Sequence, residues 1–432
     1  MKNSNHLYIK ILTVVMGCLL LPISVFASNT TIVVDQVKDQ SLQALFLLGL
    51  ENSPVIKYSV AQQSAAQSNQ KIMDSFLKPE VMFQSELSYA WMKKSYARTA
   101  SQLQVSYPLY EPDREDRSDI ASYQYAERRF QLEETKQALL LKISNLYFKY
   151  WIQESEQRFL QKEFESISEI MAQVQQRFTI GYQDLNDISD VQARLDRNRA
   201  DLIQIEQNLR ITEIDLEAVL GTKIDLSKNL PPPIFSLSVD LPLNKEYLLT
   251  LIEQHPSLLR YEQAILASRK QIEYEKNKDG AVVKAFGAVV NNESDGFFYD
   301  DMQGAKVGLR LSVPLYLGGR TEASVAKSRF ESNQLSALKS QQALLLVASL
   351  KNAEQSLQHN SKRLIALKEV LESNKQALTA AENGLSTGNR NILDLLDAQR
   401  NLHRAERDIE IVMNTLWLNQ YLYQWSTGKI SI

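Results

Sequence analysis

The chain has 432 residues, with 48 Lys and Arg against 51 Asp and Glu, 4 His and a net charge of −3. One cysteine, Cys18, excludes a disulfide framework, and without a basic excess there is no case for a nucleic-acid partner. The histidines, His6, His255, His359 and His403, are scattered, so neither metal-ligand nor triad spacing occurs, and no catalytic site, cofactor or metal is expected.

Residues 1–27 carry Lys2 and Lys10, an apolar core from Ile11 to Leu21, a break at Pro22 and a Val25-Phe26-Ala27 end, the pattern of a cleaved secretory signal. Val15-Met16-Gly17-Cys18 is a rival lipoprotein box, disfavoured because apolar residues continue after Cys18. Beyond the signal no apolar run approaches the roughly 20 residues of a membrane helix. Strands remain the open route into a membrane.

Asp39 to Lys78 reads as a helix that Pro54 breaks or kinks near Ser53. From Val81 the period becomes two: Val81, Phe83, Leu87, Tyr89 and Trp91 alternate with mostly polar residues, a turn spans Met92 to Arg98, and Leu103, Val105, Tyr107 and Leu109 alternate again. The hairpin (80–110) has strands of about ten residues, the length of a transmembrane β-strand. Pro112-Asp113 then opens about 68 residues without a breaker, enough for a helix on the order of 100 Å. Its apolar face, from Leu139 to Phe178, is matched after the Gly181 turn by Val191, Leu195, Leu202, Ile205, Leu209, Leu216 and Val219, with Asn198 and Thr212 in the gaps. Residues 113–221 thus form a long helical hairpin. Leu230 to Leu241, with Pro231-Pro232-Pro233, reads as a linker (231–241) with a short edge strand.

The unit then repeats. His255-Pro256 answers Ser53-Pro54, Val313-Pro314-Leu315-Tyr316 answers Tyr107-Pro108-Leu109-Tyr110, and Gly388 and Gly428 answer Gly181 and Gly221. The first copy spans 28–230 and the second 242–432, with a strand hairpin at 281–316 and a helical hairpin at 319–428. In the second hairpin Leu346, Leu350, Ala353, Leu357, Leu364, Leu367, Leu371, Leu378, Ala381 and Leu385 keep a seven-residue period, with Asn360 and Asn374 in the gaps. The seam resumes through Leu395, Ala398, Leu402, Ala405, Ile409, Val412 and Leu416, so the helices pair antiparallel about Gly388. Residues 281–290 alternate poorly, and the loop bearing Glu293, Asp295, Asp300 and Asp301 is placed in water. Tyr89, Trp91, Phe297, Phe298 and Tyr299 are candidates for an aromatic membrane belt.

Four strands cannot close a barrel, and an open edge in lipid leaves backbone groups unsatisfied, so several chains must share one. Three would supply about twelve strands, within the range of outer-membrane barrels. The fold class expected is mainly α with β: a duplicated unit of long antiparallel coiled-coil helices and strand hairpins, forming a shared trimeric outer-membrane β-barrel continuous with a periplasmic α-helical barrel. That is a conduit. The rival is a periplasmic coiled-coil adaptor or scaffold, disfavoured by two membrane-length strand pairs.

The motifs Tyr107-Pro108-Leu109-Tyr110, Val313 to Arg320 (VPLYLGGR), Arg177 to Gly181 leading to Asp190 to Arg194, and Thr387 to Arg390 leading to Asp394 to Gln399 resemble the TolC family of outer-membrane channel proteins over essentially the whole mature chain. The resemblance implies a homotrimer in outer-membrane lipid, extending into the periplasm. It also implies docking to a periplasmic adaptor (membrane fusion protein) and an inner-membrane pump or ABC transporter for efflux or type I secretion. Glu111-Pro112-Asp113 departs from the family's glycine pair. Asp394 and Asp397, three apart on one helix face, match the family's constriction aspartates, and Asp187 and Arg390 match its gate network. The plain alternative is that acidic residues in the first turns of a helix favour its dipole. Leu385 stands where some members carry a gate tyrosine. The turns Ile180-Gly181-Tyr182 and Thr387-Gly388-Asn389 are the candidate adaptor-docking ends, which as simple chain reversals also need glycine.

Overall fold

The structure, a computed structural model, describes residues 42–91, 95–182, 184–224, 250, 252–294, 302–428 and 430. The signal segment with Cys18, the 231–241 linker with its edge strand, Asp295, Phe297 to Tyr299, Asp300 and Asp301 lie outside the described residues. The elements in order are α1 (Leu42–Asn52), α2 (Pro54–Ser75), β1 (Glu80–Ala90), β2 (Tyr96–Tyr110), α3 (Arg114–Thr179), α4 (Leu185–Leu220), α5 (Pro256–Asn277), β3 (Val282–Ser294), β4 (Met302–Ser312), α6 (Arg320–Ser386) and α7 (Ile392–Ser426).

Pro54 divides the first helix as expected, because its ring fixes φ and offers no N–H, so it fits only at a helix start. Pro256 repeats the break, with His255 as N-cap accepting the Ser257 N–H. Each break is also a docking point. Gly221, at the end of α4, lies against Asn52 and Pro54, where a Cβ would come within 2.8 Å of the Asn52 carbonyl. Gly428, after α7, lies against Pro256 and His255 in the same manner. The His255 ring is buried edge-on against Trp425, and burial lowers its pKa to about 4.

α3 has 66 residues and α6 has 67, each about 100 Å at 1.5 Å per residue. α3 pairs with α4 and α6 with α7 along the apolar seams read from the period. Leu346, Leu350, Ala353 and Leu357 are buried, as are Ala405, Val412 and Leu416 opposite. Burying the leucines and the valine contributes roughly 1.5–3 kcal/mol each, which is what holds so long a hairpin shut. The polar gap residues reach across: Asn374 donates to the Asn401 carbonyl, Asn198 to the Leu160 carbonyl and Thr212 to Gln153.

The two hairpins meet where α3 runs beside α7. At the upper end the contact is aromatic, with Phe148 against Tyr421 and Trp417 packed on the buried cluster that contains Trp151. Below that it is ionic: Arg158 to Glu410 at 2.6 Å, Arg407 to Glu156 at 3.1 Å, Lys162 to Glu406 at 2.8 Å and Arg400 to Glu163 at 2.7 Å. A small cavity of about 100 Å³ lies within this ladder. Burial raises the Glu154 carboxyl above its usual range; Arg158 opposes this and Glu410 adds to it. At Glu406 burial acts the same way, but hydrogen bonds from Lys162 and His403 outweigh it and hold the carboxyl below its usual range.

The strands form one antiparallel sheet in the order β1-β2-β3-β4, so the two hairpins join through β2 and β3. One face is an apolar band. Val81, Val105, Gly287 and Val307 share a transverse row, and Phe83, Leu103, Val289 and Ala305 the next. Val81, Phe83, Val307, Leu309 and Leu311 on this face are all exposed in the single chain. No helix among the described residues is long and apolar enough to cross a membrane.

Three expectations are corrected. The turn expected from Met92 to Arg98 ends sooner, because β2 begins at Tyr96, and Glu293, expected in the loop, lies in β3 opposite Thr99. The sequence extends the last strand to Tyr316, but β4 ends at Ser312. Ser312 is opposite Val282, the first residue of β3, so 313–317 have no strand beside them among the described residues. Tyr107 to Tyr110 do stay in β2, because β3 runs alongside, and the register shifts between Pro108 and Tyr110, where proline has no N–H to give. The entries into the long helices differ as well. Gly318 and Gly319 have φ of 62° and 79°, whereas Asp113 sits at φ −92° and ψ 0°, and Arg117 clamps both Glu111 and Asp113. The Glu111-Pro112-Asp113 substitution thus replaces left-handed glycines with an ion-paired turn.

Candidate functional site

The ends of the hairpins furthest from the sheet are built from two copies of one local device. After α3, the Gly181 N–H donates to the Phe178 carbonyl and the Tyr182 N–H to the Arg177 carbonyl; after α6, Gly388 donates to Leu385 and Asn389 to Gly384. This is the Schellman motif, and it requires the left-handed φ of 80° at Gly181 and 78° at Gly388. Each return helix then starts on an Asx cap. Asp184 accepts from the Asp187 N–H, and Asn391 accepts from the Asp394 N–H while the Asp394 carboxylate accepts from the Asn391 N–H.

Below these turns Ile167, Ile170, Met171 and Val174 of α3, Val191 and Leu195 of α4, and Ile392 and Leu396 of α7 form one buried cluster. It fixes the first turns of α4 and α7 against α3, and with them the acidic residues that follow. Asp394 and Asp397 are both exposed on one side of α7. Asp394 does what the plain alternative requires, completing a capping box. Asp397 is held by Arg194 of α4 at 2.5 Å. Arg390 lays its stem across Gly384, where a Cβ would come within 2.8 Å of Arg390 Cγ. That explains the lone glycine inside α6, which costs about 1 kcal/mol relative to alanine in a helix. Asp187 is half-buried in the first turn of α4. Leu385 packs on the buried cluster, so this position contributes apolar contact.

Arg194 was not among the site residues read from the sequence. Its signal was present, since it ends the Asp190 to Arg194 motif, but nothing local names a partner 203 positions away. The turns themselves are open: Tyr182 is 82% exposed, Ile180 is 64% exposed, and Thr387, Gly388 and Asn389 are exposed.

A family model described as "Outer membrane efflux protein" matches residues 48–222 and 248–416. The outer membrane protein TolC of Vibrio cholerae is 24% identical over 419 residues, covering 93% of this chain and 94% of that protein. The proteases secretion protein PrtF of Dickeya chrysanthemi is 21% identical over 414 residues, covering 89% and 87%. The Campylobacter jejuni CmeC outer membrane channel superposes with a TM-score of 0.80 at 15% identity, over 90% of this chain and 86% of that one.

Proposed function

The chain belongs to the outer membrane efflux protein family, residing in the outer membrane as a channel and not as an enzyme, and from that premise we propose that it is a homotrimeric exit duct gated at its helical tip. One observation carries the homotrimer: every layer of the single chain is open on both sides. The sheet has β1 and β4 as free edges. The upper helices run α2, α3, α5, α6 and the lower ones α4, α3, α7, α6, so α2 and α4 flank one side and α6 the other. Those flanks carry exposed apolar side chains: Tyr58 and Ile72 on α2, Ile203 and Ile214 on α4, Leu344 and Ile365 on α6. Two different flanks joined head to tail make a heterologous contact, which generates a ring where the rotation between copies closes. Three copies give about twelve strands, enough to close a barrel and remove the edges.

In that ring Asp394 and Asp397 form an acidic girdle where the tips converge, favouring cations. Arg194 restrains it through Asp397, and Asp187 and Arg390 belong to the same network. Ile180 to Tyr182 and Thr387 to Asn389 are the surface for a periplasmic adaptor, which couples the duct to an inner-membrane pump or ABC transporter for efflux or secretion. The family model, described by efflux, and PrtF, a relative named for protease secretion, support a duct for either use.

The test is single-channel conductance of the purified protein in planar bilayers, wild type against Asp394→Ala/Asp397→Ala. Cation-selective pores whose selectivity falls, or whose conductance rises by roughly twofold or more, are expected from removing the girdle. Pores indifferent to the substitutions would return the aspartates to helix capping. Folded, inserted protein without pores would overturn the duct.

A further inference from the structure

The sheet face opposite the apolar band carries its own pattern. On β1 and β2 it presents Gln84, Gln102, Gln104 and Ser106, ordinary polar residues for a wetted wall. On β3 and β4 it presents Lys284, Lys306 and Arg310, all exposed. Arg310 is the register partner of Lys284, and Lys306 stands one strand from Ala288. Like charges directly opposite on one face are destabilising. No carboxylate among the described residues pairs with any of the three, although cations just beneath the sheet are matched: Arg117 by Glu111 and Asp113, and Arg320 by Asp279.

One of the three, Arg310, is held in place. The Arg310 guanidinium lies over the Phe286 ring at 5.4 Å from its centroid, and that ring covers Gly308, where a Cβ would come within 2.9 Å of it. The glycine makes room for the ring and the ring positions the guanidinium. Among the described residues the only carboxylate on this face at the same height is Glu80, in the row of Ser106 and Phe286. Further toward the strand turns Glu86 and Arg98 sit diagonal to each other and offset. Three cations therefore face one carboxylate in the lower half of the wall.

We infer that the β-barrel lumen carries a basic belt, formed by Lys284, Lys306 and Arg310, that binds polyvalent anions such as phosphorylated or polycarboxylated solutes. The inference rests on the trimeric duct proposed above, in which this face lines the bore. There β1 of the next copy adjoins β4, and its Glu80 offsets one cation, leaving two per chain. A ring of lysines and arginines in a pore selects anions, opposite in sign to the acidic girdle at the tip. Solutes leaving the duct meet the belt after the girdle.

The experiment uses full-length protein in planar bilayers with inorganic tripolyphosphate added to the side bearing the strand turns. In wild type, tripolyphosphate reduces the current, less so at 1 M than at 0.1 M salt, because screening shortens to about 3 Å. In Lys284→Gln/Lys306→Gln/Arg310→Gln the concentration giving half block rises roughly tenfold and the reversal potential in a KCl gradient shifts toward cation selectivity. Glu80→Gln, which adds no bulk, shifts both in the opposite direction. A triple variant with the block and reversal potential of wild type, or a Glu80→Gln protein indistinguishable from wild type, would overturn the belt while leaving the duct intact. If folded, inserted wild-type protein forms no pores, the duct itself fails and the belt with it.

Discussion

Within each hairpin the long helices meet through leucine, valine and alanine seams, whereas between hairpins α3 and α7 meet over their middle through half-exposed ion pairs. The two seams lie side by side, so the contrast is one of chemistry. An apolar seam gains stability from the area removed from water and loses it when the helices part. An ion pair near the surface exchanges one solvation for another and is worth little net. Each hairpin is accordingly a stiff rod, and the junction between rods is the place where the molecule can rearrange cheaply. The junction is pinned at its two ends, by the aromatic contact around Phe148 and Tyr421 above and by the Ile392 and Leu396 cluster below.

Substitutions can break or sharpen this contrast. The largest effect is expected from Leu357→Ala, since Leu357 is fully buried against Val412 and Leu416; a loss of about 3 kcal/mol should appear in denaturant unfolding of the folded protein. An intermediate effect is expected at Glu163, the buried member of the ionic seam, which takes hydrogen bonds from Asn198 and pairs with Arg400. Glu163→Ala takes from the buried Asn198 amide one of its two acceptors, the Leu160 carbonyl remaining, and from Arg400 its ion-pair partner, and should cost about 2 kcal/mol, while Glu163→Gln, which keeps an acceptor for Asn198, should cost less in the same measurement. The smallest effect belongs to Arg158 and Glu410, both substantially exposed. A double-mutant cycle with Arg158→Ala and Glu410→Ala should give a coupling of about 0.5 kcal/mol that disappears at 1 M salt. A coupling as large as the Leu357 effect would erase the distinction between the seams.

The apolar seams were legible because a seven-residue period is written in consecutive turns, and the polar gaps at Asn198, Thr212 and Asn374 were legible as gaps. What fills them was not. The Arg194 to Asp397 pair joins residues whose exposed side chains have many equivalent neighbours in sequence, and no periodicity selects one. The β2 to β3 pairing is equally silent, since hairpins announce themselves through their turns and this contact has none. Val313 to Tyr316 was misread for a related reason. It repeats the chemistry of Tyr107 to Tyr110, yet strand structure depends on a neighbour, and β3 has not begun where it would be needed. From the sequence, Asp187 and Asp394 read equally as first-turn acids that favour a helix dipole and as members of the proposed gate, because one carboxylate can serve either purpose from the first turn of a helix.

In the ring proposed above, the mismatched flanks carry a consequence for assembly. A head-to-tail contact contains no instruction to stop: each added copy presents the same pair of free ends as the first, and growth halts only when the last flank meets the first. What terminates the polymer is then curvature alone, set by the twist between strands and the angles between helices. A chain whose flanks still stick but whose curvature is relaxed would grow into open filaments with a strand edge always exposed, so the shape of the subunit is its chain terminator.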